Sequence, residues 1–217
     1  MSIASDASRE PLPAVLMWLR TDVPGSEVVM VDDSVGLRAR GSQHAVDPVP
    51  YALSYELSTD VGWATTRLVA HAEGAGWTRD LELIRVGEAW TSVWAAEGGH
   101  ELASFDGSGV RAPAPPGIAE PETLRGAIDV DLGGSPLTNA LPVRRLGLLD
   151  AEPGSVMRLV SAWVLPPTLE VVASAQTYTV LSNGRIRYGD AESGSTIEYD
   201  ADGWVRDYEG LARRIDG

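Results

Sequence analysis

Hydrophobic and polar residues alternate with a period of two along much of the chain. In "YALSYELS", Tyr51, Leu53, Tyr55 and Leu57 fall on one side and Ala52, Ser54, Glu56 and Ser58 on the other, the spacing of a strand with one buried face. The same reading predicts strands over 14–20, 27–31, 36–42, 65–72, 77–85, 89–95, 100–105, 156–165 and 169–181. Asn183-Gly184 and Asp202-Gly203 lie between such runs and predict tight hairpins, since both pairs supply the positive φ these turns need. Many short antiparallel strands with regular turns make an all-β sheet, sandwich or barrel the expected class.

Two runs break the alternation. "AVLMWL" (14–19) is apolar throughout, and "VMRLVSAWVL" (156–165) is apolar at most positions on both faces. Such strands need an apolar cover on both sides: the core on one, and a helix, a second sheet or a ligand on the other. Helix signals are scarce. Ser135-Pro136 reads as an N-cap with proline at the first helical position, and Pro142 limits the helix to a turn or two, with a further strand from about Arg144. The Pro-, Ala- and Gly-rich stretch 107–123 has no periodicity and reads as a mobile surface loop. Residues 1–13 read as a flexible tail, and 14–215 as one domain.

Composition narrows the function. Seventeen basic residues, all of them Arg, stand against 31 acidic ones for a net charge of −14, so nucleic acid and anionic membrane surfaces are disfavoured partners. The absence of Lys excludes Schiff-base chemistry from a lysine, and zero Cys excludes disulfides and thiolate chemistry. No secretory leader and no apolar run of bilayer-spanning length is present, so a cytoplasmic protein that does not insert into membranes is expected. The oligomeric state stays open.

The stretch "DVDLGGSPLTNALPVRRL" (129–146) concentrates the chemistry. On a strand Asp129 and Asp131 project to one face while Ile128, Val130 and Leu132 take the other. Side chains at i and i+2 lie about 7 Å apart, compatible with paired-carboxylate glycoside hydrolysis. The alternative is structural: the aspartates receive Arg144 and Arg145 or cap the short helix, and the structural reading is preferred. The three histidines share no ligand spacing with each other or with the aspartates, and no metal is expected. No GxSxG, GxxxxGK[ST] or GxGxxG motif occurs, so no nucleophile elbow and no cofactor is expected. Seven Trp dominate the large aromatics, and indoles both anchor cores and stack on sugars or line apolar cavities. Tyr178, Arg187 and Tyr188 flank the Asn183-Gly184 turn.

With "SAWVLPPTLEVVASAQTYTVL", "RIRY" and "YDADGWVRDYEGLARRI" following it, and "WLRTDVPGSE", "PYALSYELSTDVGWATTRL" and "GWTRDLEL" preceding it, this stretch resembles the hallmark segments of the bacterial putative glycolipid-binding family over residues 14–215. Leu137 and Ala140 stand where that family more often has Phe and Thr. The resemblance implies a many-stranded antiparallel sheet curled into an incomplete barrel, with a few short helices plugging the concave side, similar to lipoprotein carriers. It implies non-enzymatic binding of a lipid or glycolipid in the cavity of the curved sheet. The rivals are a sugar or glycolipid hydrolase using Asp129 and Asp131, and a ligand-free scaffold. On the binding reading an acyl chain lies against Trp18, Trp163 and Tyr178, and Arg144, Arg145 or Arg187 meets the head. Trp63, Arg67, Asp131, Asn139 and Tyr188 complete the candidate contacts.

Overall fold

The computed structural model describes residues 14–104, 109–189 and 194–215, so the predicted tail over 1–13 lies outside the described residues. Seven long strands come first: β1 (Ala14–Arg20), β2 (Gly25–Asp32), β3 (Arg38–Ala45), β4 (Tyr51–Thr59), β5 (Thr65–Gly74), β6 (Trp77–Val86) and β7 (Ala89–Gly98). Then come the short β8 (Gly117–Ile118) and β9 (Asp129–Leu132), the helix α1 (Ala140–Arg145), and the long pair β10 (Val156–Leu165) and β11 (Glu170–Val180). The chain closes with β12 (Arg185–Tyr188), β13 (Ser195–Tyr199), β14 (Val205–Tyr208) and β15 (Ala212–Arg214).

All of them join one sheet in the order β7-β6-β5-β4-β3-β2-β1-β15-β14-β13-β12-β11-β10-β9, with β8 paired to β11 off this path. The pairing is antiparallel except for β9 on β10 and β8 on β11, which are parallel. The sheet is open and curls far enough to bring its β9 edge back towards β5, where Thr65 Oγ1 accepts the Val130 amide at 3.1 Å. The expected incomplete barrel is therefore the observed architecture. Strand β4 buries Tyr51, Leu53, Tyr55 and Leu57, the face its alternation predicts.

The outer face of the first half is laced with cross-strand charge, Arg40 to Glu56 at 3.1 Å and Arg67 to Glu82 at 2.7 Å. In the all-apolar β1, by contrast, Trp18 is sealed inside while Val15 and Leu19 stay 63% and 46% exposed. The other two-sided apolar run resolves differently. In β10 the half from Ser161 to Leu165 is covered on both faces by protein, with only Trp163 part-exposed. Because β9 pairs only Ser161 to Val164, residues 156–160 form a free edge.

Four local expectations change. Residues 100–104 form no strand; Leu102 and Ser104 are buried, and Ser104 donates to the Leu165 carbonyl at 3.1 Å. Within the loop expected over 107–123, residues 107 and 108 lie outside the described residues; the remainder is anchored by β8, by an Arg111–Glu170 ion pair at 2.9 Å and by a 3₁₀ turn over Pro121–Leu124. The helix runs through Arg145 and leads into a 3₁₀ turn over Leu148–Asp150, not into a strand. Pro142 is tolerated because it lies in the first turn of α1, where its missing N–H has no partner to lose. Ser135 caps nothing; its hydroxyl points away from the helix to a buried carboxylate.

Candidate functional site

The 129–146 stretch is tied to the sheet at nearly every polar position. Asp129, 1% exposed, takes both arms of the Arg145 guanidinium, at 2.9 Å from Nε and 2.5 Å from Nη2, a bidentate pair of the strong kind. The loop after β9 is gripped from below: Gln43 Nε2 donates to the Gly133 carbonyl at 3.2 Å, Arg20 Nη1 to the Gly134 carbonyl at 3.5 Å, and Ser135 Oγ to Glu27 at 2.5 Å. Gly134 has φ 76°, and a Cβ there would sit 2.1 Å from the Arg20 guanidinium, so this close approach requires glycine. Arg144 leaves the aspartates altogether. It stacks 4.0 Å from the Trp63 ring centre and 5.1 Å from that of Trp204, and donates to Asp33 and to the Asp202 carbonyl. One guanidinium thus pins the hairpin turns after β2, β4 and β13 to the helix.

Glu27 is a buried acid that the sequence reading passed over. It is fully buried, and Tyr55 donates to it at 2.7 Å. Burial pushes its carboxyl up to about 7, opposed by hydrogen bonds from Ser135 and Tyr55. The signal was present in β2, where Glu27 shares parity with the inward Val29 and Val31.

Asp131 has a different setting. It shares the Asp129 face but stands opposite Trp163 in register, on the wall formed by β9 to β14. Gln176 Nε2 donates to its Oδ2 at 2.7 Å, and Thr138 Oγ1 lies 3.2 Å from Oδ1. The amide is itself oriented: Ser161 and Tyr178 hydroxyls donate to Gln176 Oε1 at 3.0 and 3.2 Å, which leaves the NH₂ facing the acid. Burial raises the Asp131 carboxyl to about 6, against the hydrogen bonds from Gln176 and Thr138. The Tyr178 and Tyr188 rings meet edge to face at 5.3 Å, and Tyr188 and Tyr208 at 6.1 Å. Burial raises the hydroxyls of Tyr178, Tyr188 and Tyr208, and the nearby Asp131 charge raises them further. Trp163, Asp131, Ser174, Tyr188, Tyr208 and Leu159 are all half-buried, so solvent reaches part of this wall.

The structure therefore brings Asp131, Trp163, Tyr178 and Tyr188 together, with Asn139 behind them accepting a 3.5 Å hydrogen bond from Tyr199 through its carbonyl. Trp63, Arg144 and Arg145 belong to the clamps on the plug. Trp18 is a core anchor whose indole donates to the Val205 carbonyl at 2.9 Å, and Tyr178 is likewise sealed, at 1% exposure. Arg67 and Arg187 point to the outer face: Arg67 pairs with Glu82, and Arg187 has the opposite parity to the inward Tyr188. Gln176, Thr138 and Tyr208 are the members of the wall that sequence reasoning missed; Gln176 was legible from its shared parity with Tyr178.

The concave interior is filled by the chain's own side chains, among them Leu37, Leu53, Leu68, Leu83 and Leu141. A cavity of about 550 Å³ opens at the rim between the ends of β2 to β5, lined by Pro24, His44, Pro50, Tyr51 and Glu73, and touches none of the predicted contacts. Among the described residues no group of three or more His, Asp or Glu could hold a metal, and no helix is long and apolar enough to cross a membrane.

An open, curled sheet with a clamped plug and an aromatic, acid-bearing wall defines the class: a β-sheet protein with a plugged concave face. The chain belongs to the family described as putative glycolipid-binding, whose model matches residues 15–214. The fold is similar to a crystal structure of a DUF1089 family protein from Pseudomonas aeruginosa, with a TM-score of 0.66 at 24% identity over 99% of both chains. No curated protein matches the chain.

Proposed function

We propose that this protein binds a glycolipid without transforming it, with the sugar head at the Asp131 wall. The observation that carries this reading is a carboxylate fixed by Gln176 and Thr138 beside half-buried aromatic rings on the concave face. Rings that stack on a sugar and an acid that accepts its hydroxyls are the expected equipment of such a site. The family description points the same way. Met157 and Leu159 share this face with Trp163 and lead to the free edge of β10, with Met157 38% exposed; an acyl chain laid there would cover them.

The hydrolase alternative draws less support. An acid–base pair needs two carboxylates that reach the substrate, and Asp129 is both sealed and held bidentate by Arg145. The test is native mass spectrometry of the protein purified from its own cells, with extraction and identification of any bound lipid, followed by titration of the lipid-free protein with dodecyl glycosides. A stoichiometric glycolipid, or saturable uptake weakened at least fivefold by Trp163→Ala, is the expected result. No bound lipid together with no saturable uptake would overturn the reading in favour of a ligand-free scaffold.

A further inference from the structure

We propose that the head group recognised at the Asp131 wall carries a protonated amine, as an amino sugar does. This rests on the binding reading above and names the ligand's chemistry within it.

The argument starts from what Asp131 lacks. Its hydrogen-bond partners, Gln176 and Thr138, are both neutral. The guanidinium on the adjacent helix, Arg145, is held by Asp129, and Arg144 is stacked on Trp63 and ion-paired to Asp33. The arginines of the neighbouring strands do not help. Among the described residues, Arg158 on β10 and Arg185 and Arg187 on β12 have the parity opposite to Leu159, Ile186 and Tyr188, so they project from the other face, Arg206 on β14 is exposed, and Arg214 on β15 pairs with Asp200. The chain has no lysine at all. A desolvated carboxylate with no ion pair among the described residues carries a standing electrostatic cost, and an arriving cation would remove it.

The second element is aromatic. Trp163 lies beside Asp131 in register, and the half-buried Tyr188 and Tyr208 line the same wall 6.1 Å apart, with Tyr188 packed at 5.3 Å on the sealed Tyr178. Ring faces next to a carboxylate form the usual surroundings of a bound ammonium, because the ring quadrupole and the acid attract the same charge. A phosphate or carboxylate head would meet the opposite: one negative group and no free guanidinium. A neutral sugar would hydrogen-bond to Asp131 but leave its charge uncompensated.

Charge also makes the preference depend on pH. The ionisable groups facing Asp131 are Asp129 on β9, paired with Arg145 of α1, and the phenols of Tyr178, Tyr188 and Tyr208 on β11, β12 and β14. The phenols, raised by burial, stay protonated through neutral pH, while Asp131 changes its charge as pH falls through about 6. Its protonation removes the partner of the amine.

The experiment uses the full, lipid-free chain and three probes: dodecyl β-glucosaminide, its N-acetyl derivative, and dodecyl β-glucoside, titrated calorimetrically below their micelle concentrations. At neutral pH the glucosaminide is expected to bind at least tenfold more tightly than the other two. That ratio should fall to within about twofold at pH 5 or in Asp131→Asn. The pH series and the N-acetyl probe need no variant, so a misfolded Asp131→Asn leaves the test intact. Saturable binding of all three with equal affinity, or a preference unchanged at pH 5, overturns the amine while sparing the binding reading. No saturable binding of any probe overturns the amine, and with no co-purified lipid it overturns the binding reading as well.

Discussion

Asp129 and Asp131 sit two residues apart on one face of one short strand, and the molecule treats them as opposites. Asp129 is sealed and receives a bidentate guanidinium; Asp131 is half-buried and receives only an amide and a hydroxyl. What separates them is the helix α1, which brings Arg145 over the first and leaves the second facing Trp163 and the tyrosines. An acid supplied with its own cation is part of the scaffold. An acid left without one, on a half-buried aromatic wall, is the basis of the binding site proposed above. Glu27 marks the boundary of this rule, since it forms no ion pair among the described residues, with only the Arg20 charge acting on it, and lies fully enclosed beneath the Gly133–Ser135 loop. Lack of a cation matters for binding only where solvent, and hence ligand, can arrive.

The sharpest way to break the contrast is to remove the cation. Arg145→Ala strands Asp129 in the core, and loss of one partner of a buried pair costs about 3–5 kcal/mol; urea denaturation is expected to register that loss, and Asp129→Asn in the same background should restore part of it. A loss below about 1 kcal/mol would mean that the pair is not what holds the helix to β9.

Glu27 gives the next effect. Burial lifts its carboxyl from 4.5 to about 7, so between those pH values the folded chain keeps a proton that the unfolded chain releases. This group's stabilisation is complete below pH 4.5 and is lost as pH rises to about 7, a change of about 3 kcal/mol. Glu27→Gln mimics the protonated acid; it should match the parent protein in stability at pH 4 and exceed it at pH 8. A difference independent of pH would contradict the assignment.

Asp131→Asn repeats that experiment on the open side. The carboxyl is raised from 3.8 to about 6, so its contribution is lost over a lower window. Solvent at the wall screens it to about 1–2 kcal/mol. Thermal melts of the variant should gain stability at pH 7 and none at pH 3.5, in contrast to the loss expected of Arg145→Ala. The smallest effect is expected on the outer face, where Arg67→Ala removes a surface pair with Glu82 and should cost under about 1 kcal/mol, decreasing in added salt.

Much of this architecture was written in the period of two. The β4 alternation placed Tyr51, Leu53, Tyr55 and Leu57 inside, β1 matched its predicted span, and the Asn183-Gly184 turn has both residues at positive φ. Strand parity also set Asp129 and Asp131 on one face and Val130 and Leu132 on the other, because that follows from local backbone geometry alone. It even held the clue to Glu27. These features need only neighbours in sequence.

What sequence could not assign was the partner of each polar group, because partners here come from segments far apart in the chain. Arg144 and Arg145 are adjacent, yet one turns to Asp129 and the other to Trp63, Trp204 and Asp33. Trp18 and Trp163 are both tryptophans on strands with an apolar face; only the curl of the sheet encloses the first and leaves the second part-exposed. The period along a strand decides which side a residue faces. The curling of the sheet around its plug decides whether that side meets a cation, a core or open solvent.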